Sequence, residues 1–351
     1  MKILVLGNGF DLAHKLPTSY NDFLLFIKAC NNNYVSDKIQ HYQHLNDCIV
    51  NLKSKIIDSS DLKGKTFFDK VNKLSRNNTW IHYFKQKQKD LGENWLDFES
   101  EIFKNIKYLE KNDGDRIGIN QNNKEFLSFF QDYLCTTVSR KATNDLHDLI
   151  NLLELYLKEV VCGLPKNKIP FFENEKFDKV ISFNYTNTYR ELYDNVEIDF
   201  IHGEADYKEK NNMVLGIEES LSSGQESSNV LFIEFKKYFQ RIEKQTGATY
   251  KKWINQIKDE ENGTSEIHIF GHSLDTADSD IIIDLFDEEI IDIGTKIIVY
   301  YHKDDVKKQL IKNLVKVLSK SRVIKLTNKL DEKIEFIYLN TEGSESEANN
   351  E

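Results

Sequence analysis

The sequence lacks the cysteine spacing of a zinc knuckle or a redox pair. It has four cysteines, and no two of them stand in a C-x-x-C arrangement (Cys30, Cys48, Cys135 and Cys162). Isolated cysteines are typical of a reducing compartment, where they pack in the core. We therefore expect a cytoplasmic protein without a metal site.

Long apolar runs and an excess of basic residues are also missing. No apolar run approaches the roughly 20 residues that span a bilayer, and only four apolar residues follow Lys2 before Gly7, too few for a signal peptide. Lysine and arginine number 47 against 57 acidic residues, a formal charge of −10. Such a charge gives no overall attraction to nucleic acid or to an anionic membrane. We expect neither as a partner.

The chain opens on a strand, a glycine turn and the beginning of a helix. Ile3–Leu6 is a short apolar run, typical of a strand buried on both faces, and Gly7-Asn8-Gly9 follows it. This arrangement aims backbone N–H groups at an anion, usually a phosphate. The dinucleotide fingerprint requires a small residue where Leu12 stands, which disfavours an ordinary Rossmann dehydrogenase.

A long segment after Ser19 shows helical spacing and hardly any alternation. The predicted helices are Ser36–Ser54, Phe67–Leu74, Trp80–Lys89, Trp95–Leu109, Asn123–Leu134 and Asp145–Val160. A structureless connection of that length is implausible. We therefore predict an inserted helical subdomain over residues 20–169.

Strands alternate with helices from about residue 170. The predicted strands are Asp178–Phe183, Glu197–Ile201, Met213–Ile217, Glu266–Phe270, Lys296–Tyr301, Arg322–Leu326 and Ile334–Leu339. This alternation indicates βαβ units and a mostly parallel, Rossmann-like sheet. The predicted fold class is α/β, with residues 1–19 and 170–340 in one nucleotide-binding domain. Residues 341–351 read as a disordered acidic tail.

Four strands end in polar residues. The segments are Gly7–Asp11, Phe183–Thr188, His202-Gly203 and Gly271–Asp275. Ligands of open parallel sheets bind beyond the carboxyl ends of the strands. Turn and cap chemistry explains any one of the four, but four at one edge favour a binding site.

His202 is the sharpest single candidate, because it follows an apolar strand and precedes Gly203. It could act as a general base near neutral pH, or it could cap the strand. His272 has the same two interpretations, although Ser273 and Asp275 beside it resemble the beginning of a helix. Adjacency in sequence does not support a catalytic triad from these residues.

Asp97 and Glu99 are the acidic candidates of the helical segment, in the stretch Glu93–Glu99. Two residues apart, they diverge on a helix. They are either first-turn acids of a helix or carboxylates placed over the pocket, where they would stabilise positive charge or guide water.

Five motifs together resemble the bacteriophage abortive-infection family AbiH. They are GNGFDLAHKLPTSYNDF, NWLDFE, FNYTNT, IHG and GHSLDTADSD, in that order, between residues 3 and about 301. The resemblance implies an antiviral role in which the infected bacterium is stopped before phage are released.

A more distant resemblance is to sirtuins and sirtuin-like NADases. It depends on the first glycine turn, FNYT, the His-Gly pair eighteen residues after Asn184, and Gly271–Leu274. It implies that Asn184 orients a ribose or a water and that His202 acts as a base on ribose hydroxyls. Thr186 stands where those enzymes have Asp, and zinc cysteines are absent, which argues against deacylation.

The preferred hypothesis is an NAD⁺ glycohydrolase, with NAD⁺ as substrate and no cofactor. Asn184 and His202 would flank the scissile bond, with Asp97 or Glu99 assisting. Gly7 and Gly9 would hold the diphosphate, Asp11 would bind ribose or cap the helix, and Ser273 would contact the adenosine. The full set of predicted binding residues is Gly7, Asn8, Gly9, Phe10, Asp11, Tyr185, Thr186, Gly203, Gly271, His272 and Ser273.

Two other functions stay open. One is a module that senses a nucleotide or a phage-derived signal while a partner does the killing. The other is a nuclease-type toxin that uses Asp97, Glu99 and a metal. A phage-derived trigger and a homo-oligomer also stay open as partners.

Overall fold

A computed structural model describes residues 1–32, 62–91, 97–111, 116–205, 210–217, 230–259, 265–328 and 333–340. The predicted helix Ser36–Ser54 and the predicted tail 341–351 lie outside these residues. The chain divides into two compact units. The first comprises Met1–Leu16, Pro165–Gly203 and Thr246–Glu351, and the second Pro17–Leu164 and Glu204–Gln245.

The first unit is built on a six-stranded parallel sheet. In chain order the strands are β1 (Lys2–Leu6), β2 (Lys179–Ser182), β3 (Glu197–Phe200), β4 (Glu266–Phe270), β5 (Lys296–Tyr301) and β6 (Ile334–Tyr338). Their order in the sheet is β3-β2-β1-β4-β5-β6, and every pairing is parallel. The prediction of a Rossmann-like α/β fold is confirmed.

Each face of this sheet is covered by helices, which explains the unbroken apolar runs of the central strands. Helices on one face are Tyr250–Lys258, Ser279–Leu285, Glu288–Asp292, Asp304–Leu318 and Lys320–Leu326; on the other they are Asn8–Ala13, Pro170–Asn174 and Thr188–Leu192. Ile3 and Val5 pack in the first core, and Leu4 and Leu6 in the second. Alternate residues of one strand thus serve two cores.

The second unit is helical. Its α-helices are Tyr20–Asn32, Leu62–Ser75, Thr79–Leu91, Phe98–Lys111, Lys124–Leu127, Cys135–Tyr156 and Lys237–Lys244. A π-helix, Leu157–Val161, continues the helix Cys135–Tyr156, and a 3₁₀-helix, Val230–Phe235, precedes Lys237–Lys244. Residues 204–245, which the sequence analysis grouped with the sheet, belong to this unit. The predicted helix Asn123–Leu134 is helical only over Lys124–Leu127.

The predicted strand Met213–Ile217 is wrong. This segment is buried, but its only strand pairing within the described residues is a single bridge from Ile217 to Lys236. The side-chain amide of Gln240 takes the place of a neighbouring strand, because its Oε1 accepts the Leu215 N–H (3.1 Å) and its Nε2 donates to the Leu215 carbonyl (2.9 Å). Buried backbone groups need partners, and a side chain supplies them here.

The predicted strand Arg322–Leu326 is also wrong, since it lies in the helix Lys320–Leu326. Val323 and Leu326, three residues apart, are buried in the core, whereas Ile324 is 59% exposed. That is helical periodicity, which a run of only five residues hides.

Candidate functional site

The carboxyl edge of the sheet contains a reversal in strand order. From β1 the chain proceeds to β2 and β3 on one side and then returns to β4 on the other side of β1. In open α/β sheets, ligands bind in the crevice at such a reversal. All four predicted polar segments follow strands at this edge, on β1, β2, β3 and β4.

The glycine turns after β1 and β4 pack directly on each other. The amide of Gly7 donates to the Phe270 carbonyl (3.0 Å) and that of Gly9 to the Gly271 carbonyl (2.9 Å). A Cβ on Gly7 would overlap the backbone of His272. Close packing therefore accounts for these glycines, and both amides that were predicted to hold a diphosphate already have acceptors.

Asp278 lies between two histidines. Its Oδ1 is 2.9 Å from Nε2 of His202, and its Oδ2 is 3.5 Å from Nε2 of His272. All three side chains are buried. A carboxylate that holds the Nε2 proton of a histidine leaves Nδ1 as the basic nitrogen, the arrangement of a general base with an orienting acid.

The segment after β2 contacts the same histidines. The ring of Phe183 lies 5.6 Å from that of His202 and 4.1 Å from that of His272, and the ring of Tyr185 lies 6.2 Å from His202. Asn184, between these aromatic residues, is buried, and its Oδ1 has no hydrogen-bond partner. The structure thus brings the Asn184 loop and His202 together.

Asp11 is buried beside the same loop. Its Oδ2 accepts the hydroxyl proton of Thr186 (2.6 Å), whereas its Oδ1 has no partner. Burial raises the pKa of this carboxyl to about 6, against the lowering effect of the neighbouring hydroxyls of Thr186 and Thr188. The hydrogen-bond partner that the structure shows for Asp11 is thus a threonine hydroxyl.

Unpartnered polar atoms are concentrated in this region. Within the described residues, seven buried side-chain polar atoms lack a partner, and four of them are here: Asp11 Oδ1, Asn184 Oδ1, Asn187 Oδ1 and Tyr189 OH. Asn184, Asn187 and Tyr189 also line a cavity of about 10 Å³, the size of one water. Buried polar groups are normally paired, so this concentration points to a bound water or to ligand atoms.

For several predicted binding residues, the structure shows a role in packing or in the backbone conformation. Phe10 is in the core, edge-on to Phe172 at 5.1 Å. Asn8 begins the helix Asn8–Ala13, and Gly203 adopts a left-handed φ of 78° just after β3. The Ser273 carbonyl accepts from the Asn313 amide (2.9 Å), while its side chain is exposed.

The acidic pair of the second unit has partners of its own. Asp97 Oδ1 accepts the amides of Glu99 (3.0 Å) and Ser100 (3.3 Å), at the beginning of the helix Phe98–Lys111. Glu99 forms an ion pair with Lys237 (2.8 Å). These contacts match the helix-start interpretation. The preceding residues of the motif, 93–96, lie outside the described part of the chain.

Three residues of this region were not predicted as site residues: His14, Tyr189 and Asp278. Asp278 stands in the GHSLDTADSD motif, directly before the helix Ser279–Leu285, and nothing in the local sequence distinguishes it from the other acidic residues of the motif. His14 belongs to the opening motif, where Nδ1 donates to the Phe10 carbonyl and Nε2 accepts from the Tyr193 hydroxyl, both at 2.7 Å. Only the fold shows that Asp278 meets a histidine 76 residues away.

Two features are absent from the part of the chain that the structure describes. No three His, Cys, Asp or Glu side chains there are grouped so that they could hold a metal ion. None of the helices in that part of the chain is long and apolar enough to cross a membrane.

The fold and the edge cluster together define a Rossmann-like α/β protein with a candidate small-molecule site at the strand reversal. Residues 3–301 match the family described as bacteriophage abortive infection AbiH. The chain belongs to this family, which supports a role in abortive infection. No curated protein and no solved structure matched the chain.

Proposed function

We propose that this AbiH-family protein acts in phage defence by hydrolysing the N-glycosidic bond of a nucleotide, with NAD⁺ as the substrate. The observation that carries the proposal is the His202–Asp278 pair, 2.9 Å apart, at the carboxyl edge of the sheet and in contact with the aromatic residues that flank Asn184. A base, an orienting acid and a buried amide at a strand reversal suit a reaction on a bound small molecule.

The reaction needs little covalent help from the protein. The C–N bond to nicotinamide breaks, its electron pair leaves with the neutral base, and the ribose passes through an oxocarbenium-like state. Water then adds to the anomeric carbon, and His202 Nδ1 takes the proton that the water loses. The products are nicotinamide, ADP-ribose and a proton, so positioning and electrostatics supply most of the acceleration.

The unpartnered oxygens of Asp11 and Asn184 support a sugar-bearing ligand. Each can accept a hydrogen bond, and ribose hydroxyls are donors. Leaving a buried acceptor unpaired costs about 1–3 kcal/mol, so a hydroxyl or water that reaches these atoms would bind favourably.

Nicotinamide release from NAD⁺ tests the proposal. The purified protein is incubated alone and with phage lysate, because a phage-derived trigger is part of the hypothesis. His202→Ala and Asp278→Asn should lower the rate about 10²- to 10⁴-fold, whereas Thr276→Ala, at an exposed position of the same loop, should leave it unchanged. Undiminished release by His202→Ala, or none from wild type under any activating condition, would overturn the proposal.

A sensing module is the second candidate, because the buried oxygens of Asp11 and Asn184 that lack a protein partner can bind a ligand without any bond being broken. In that case NAD⁺ or ADP-ribose would bind in calorimetry without turnover. Protection against phage would then survive Asp278→Asn, which removes the orienting acid, and would fail only in variants that abolish binding.

A further inference from the structure

The loop after β4 is held in an unusual backbone conformation. Gly271 has a φ of 70° and Leu274 a φ of 54°. Glycine adopts such angles freely, but a bulky residue such as leucine rarely does. Leu274 is fully buried in the core that also contains Phe183 and Ile201. Tertiary packing therefore maintains a conformation that the local sequence disfavours.

This conformation directs the amide of Leu274 to His272. The Leu274 N–H donates to Nδ1 of His272 over 3.0 Å. A ring nitrogen that accepts an N–H bond cannot carry a proton, so the neutral imidazole of His272 has its proton on Nε2. That nitrogen faces Oδ2 of Asp278 at 3.5 Å.

Asp278 is consequently held from two sides. Oδ1 is hydrogen-bonded to Nε2 of His202 at 2.9 Å, and Nε2 of His272 lies near Oδ2 in a longer contact of 3.5 Å. The carboxylate side chain is 12% exposed and the two histidine side chains 6% and 5% exposed. In surroundings of low dielectric, the charge-assisted hydrogen bond to His202 fixes side-chain orientation, and the longer contact with His272 adds electrostatic attraction from the other side.

We propose that His272 is a positioning residue for His202. The Leu274 amide sets the tautomer of His272, His272 orients Asp278, and Asp278 retains the Nε2 proton of His202, so that Nδ1 of His202 is the basic nitrogen. The tautomers follow from the contacts alone. Their catalytic consequence rests on the proposed function.

The alternative for His272 is a direct contact with the ligand. Two substitutions separate these roles, because each retains one half of the imidazole. His272→Asn keeps an oxygen near the position of Nδ1 and loses the donor towards Asp278. His272→Gln places an amide N–H near the position of Nε2 and keeps that donor.

The primary measurement is ¹⁵N NMR of the histidine side chains in the full-length protein without substrate. We expect pure Nε2–H tautomers for His202 and His272 in the wild type. His202 should become a mixture of tautomers in His272→Asn and return to Nε2–H in His272→Gln. Thr276→Ala, in the same loop, should match the wild type, and circular dichroism confirms that each variant is folded.

A wild-type His272 with its proton on Nδ1, or a His202 tautomer unaffected by His272→Asn in the folded protein, would overturn the proposal. Nicotinamide release is the second measurement, with a loss of about 10²-fold expected in His272→Asn and recovery of most of the rate in His272→Gln. A rate lost equally in both variants would indicate ligand contact and contradict positioning. The expected tautomers with no release from wild type would refute only the proposed function.

Discussion

Gly9 and Gly271 lie so close that a side chain on Gly9 has no room: an ideal Cβ there would lie 2.7 Å from the Cα of Gly271. The amide of Gly9 also donates to the Gly271 carbonyl over 2.9 Å. This contact joins the turn after β1 to the loop that carries His272 and Asp278. The glycines of the opening motif therefore help to position His272 and Asp278, which lie in a distant part of the chain.

Gly271→Ala should be strongly destabilising. The new Cβ would overlap the amide nitrogen of Phe10, and alanine is strained at the Gly271 φ of 70°. The overlap and the backbone strain together should lower the free energy of unfolding, measured in urea, by about 2–4 kcal/mol. Gly118→Ala is the matched control, because no atom lies within 4 Å of its Cβ position. It should change stability by less than about 0.5 kcal/mol. Equal effects of the two substitutions would contradict the packing explanation.

The loss of a hydroxyl should affect stability differently at two tyrosines near the site. The Tyr193 hydroxyl accepts the Ile169 N–H (2.8 Å) and donates to His14 (2.7 Å), so Tyr193→Phe should cost about 1–3 kcal/mol. The Tyr189 hydroxyl has no protein partner within the described residues, so Tyr189→Phe should cost less than about 1 kcal/mol. Thermal unfolding measures both, and a large loss in Tyr189→Phe would show that its hydroxyl is bonded.

Asp11 should make stability depend on pH between about 4 and 6. Burial raises its pKa from 3.8 to about 6 in the folded chain, so the folded state holds the proton more tightly than the unfolded state. This stabilising contribution is complete below pH 3.8 and is lost as the pH rises through about 6. The loss amounts to at most about 3 kcal/mol.

Asp11→Asn should remove this dependence. The free energy of unfolding of the variant, relative to that of the wild type, should therefore rise between pH 4 and 6.5. Urea unfolding at several pH values measures this difference. Asp305→Asn, the same change at an exposed position, is the control. A constant difference between Asp11→Asn and wild type over this range would contradict the assignment.

The ion pair between Glu99 and Lys237 should stabilise the helical unit. The Lys237 side chain is 2% exposed and the pair is 2.8 Å apart. Glu99→Ala leaves a buried ammonium group without this carboxylate and should cost about 2–4 kcal/mol, whereas adding Lys237→Met should recover much of the loss. Glu173→Gln disrupts an exposed pair with Lys168 at 3.6 Å and should cost less than about 1 kcal/mol. A double variant less stable than Glu99→Ala would count against this account.

Much of the fold could be predicted, because most of its strands are recognisable from their own residues. Ile3–Leu6, Val180-Ile181 and Ile297–Val299 are apolar on both faces, as central parallel strands must be, and each forms the predicted strand. The segments that misled the prediction, Met213–Ile217 and Arg322–Leu326, are short apolar runs. Their structures depend on a distant glutamine amide and on which residues meet the core.

By itself the sequence located the six strands that form the sheet, together with two that do not form, and it determined that four of the six end in polar residues. Burial on two faces and turn chemistry are properties of neighbouring residues. Tertiary structure alone decided the strand order, the contact of Gly9 with Gly271 and the pairing of His202 with Asp278. Local periodicity records how a residue relates to its nearest neighbours in the chain. It contains no information about which distant strand lies beside it, and that neighbour decides which side chains share the site.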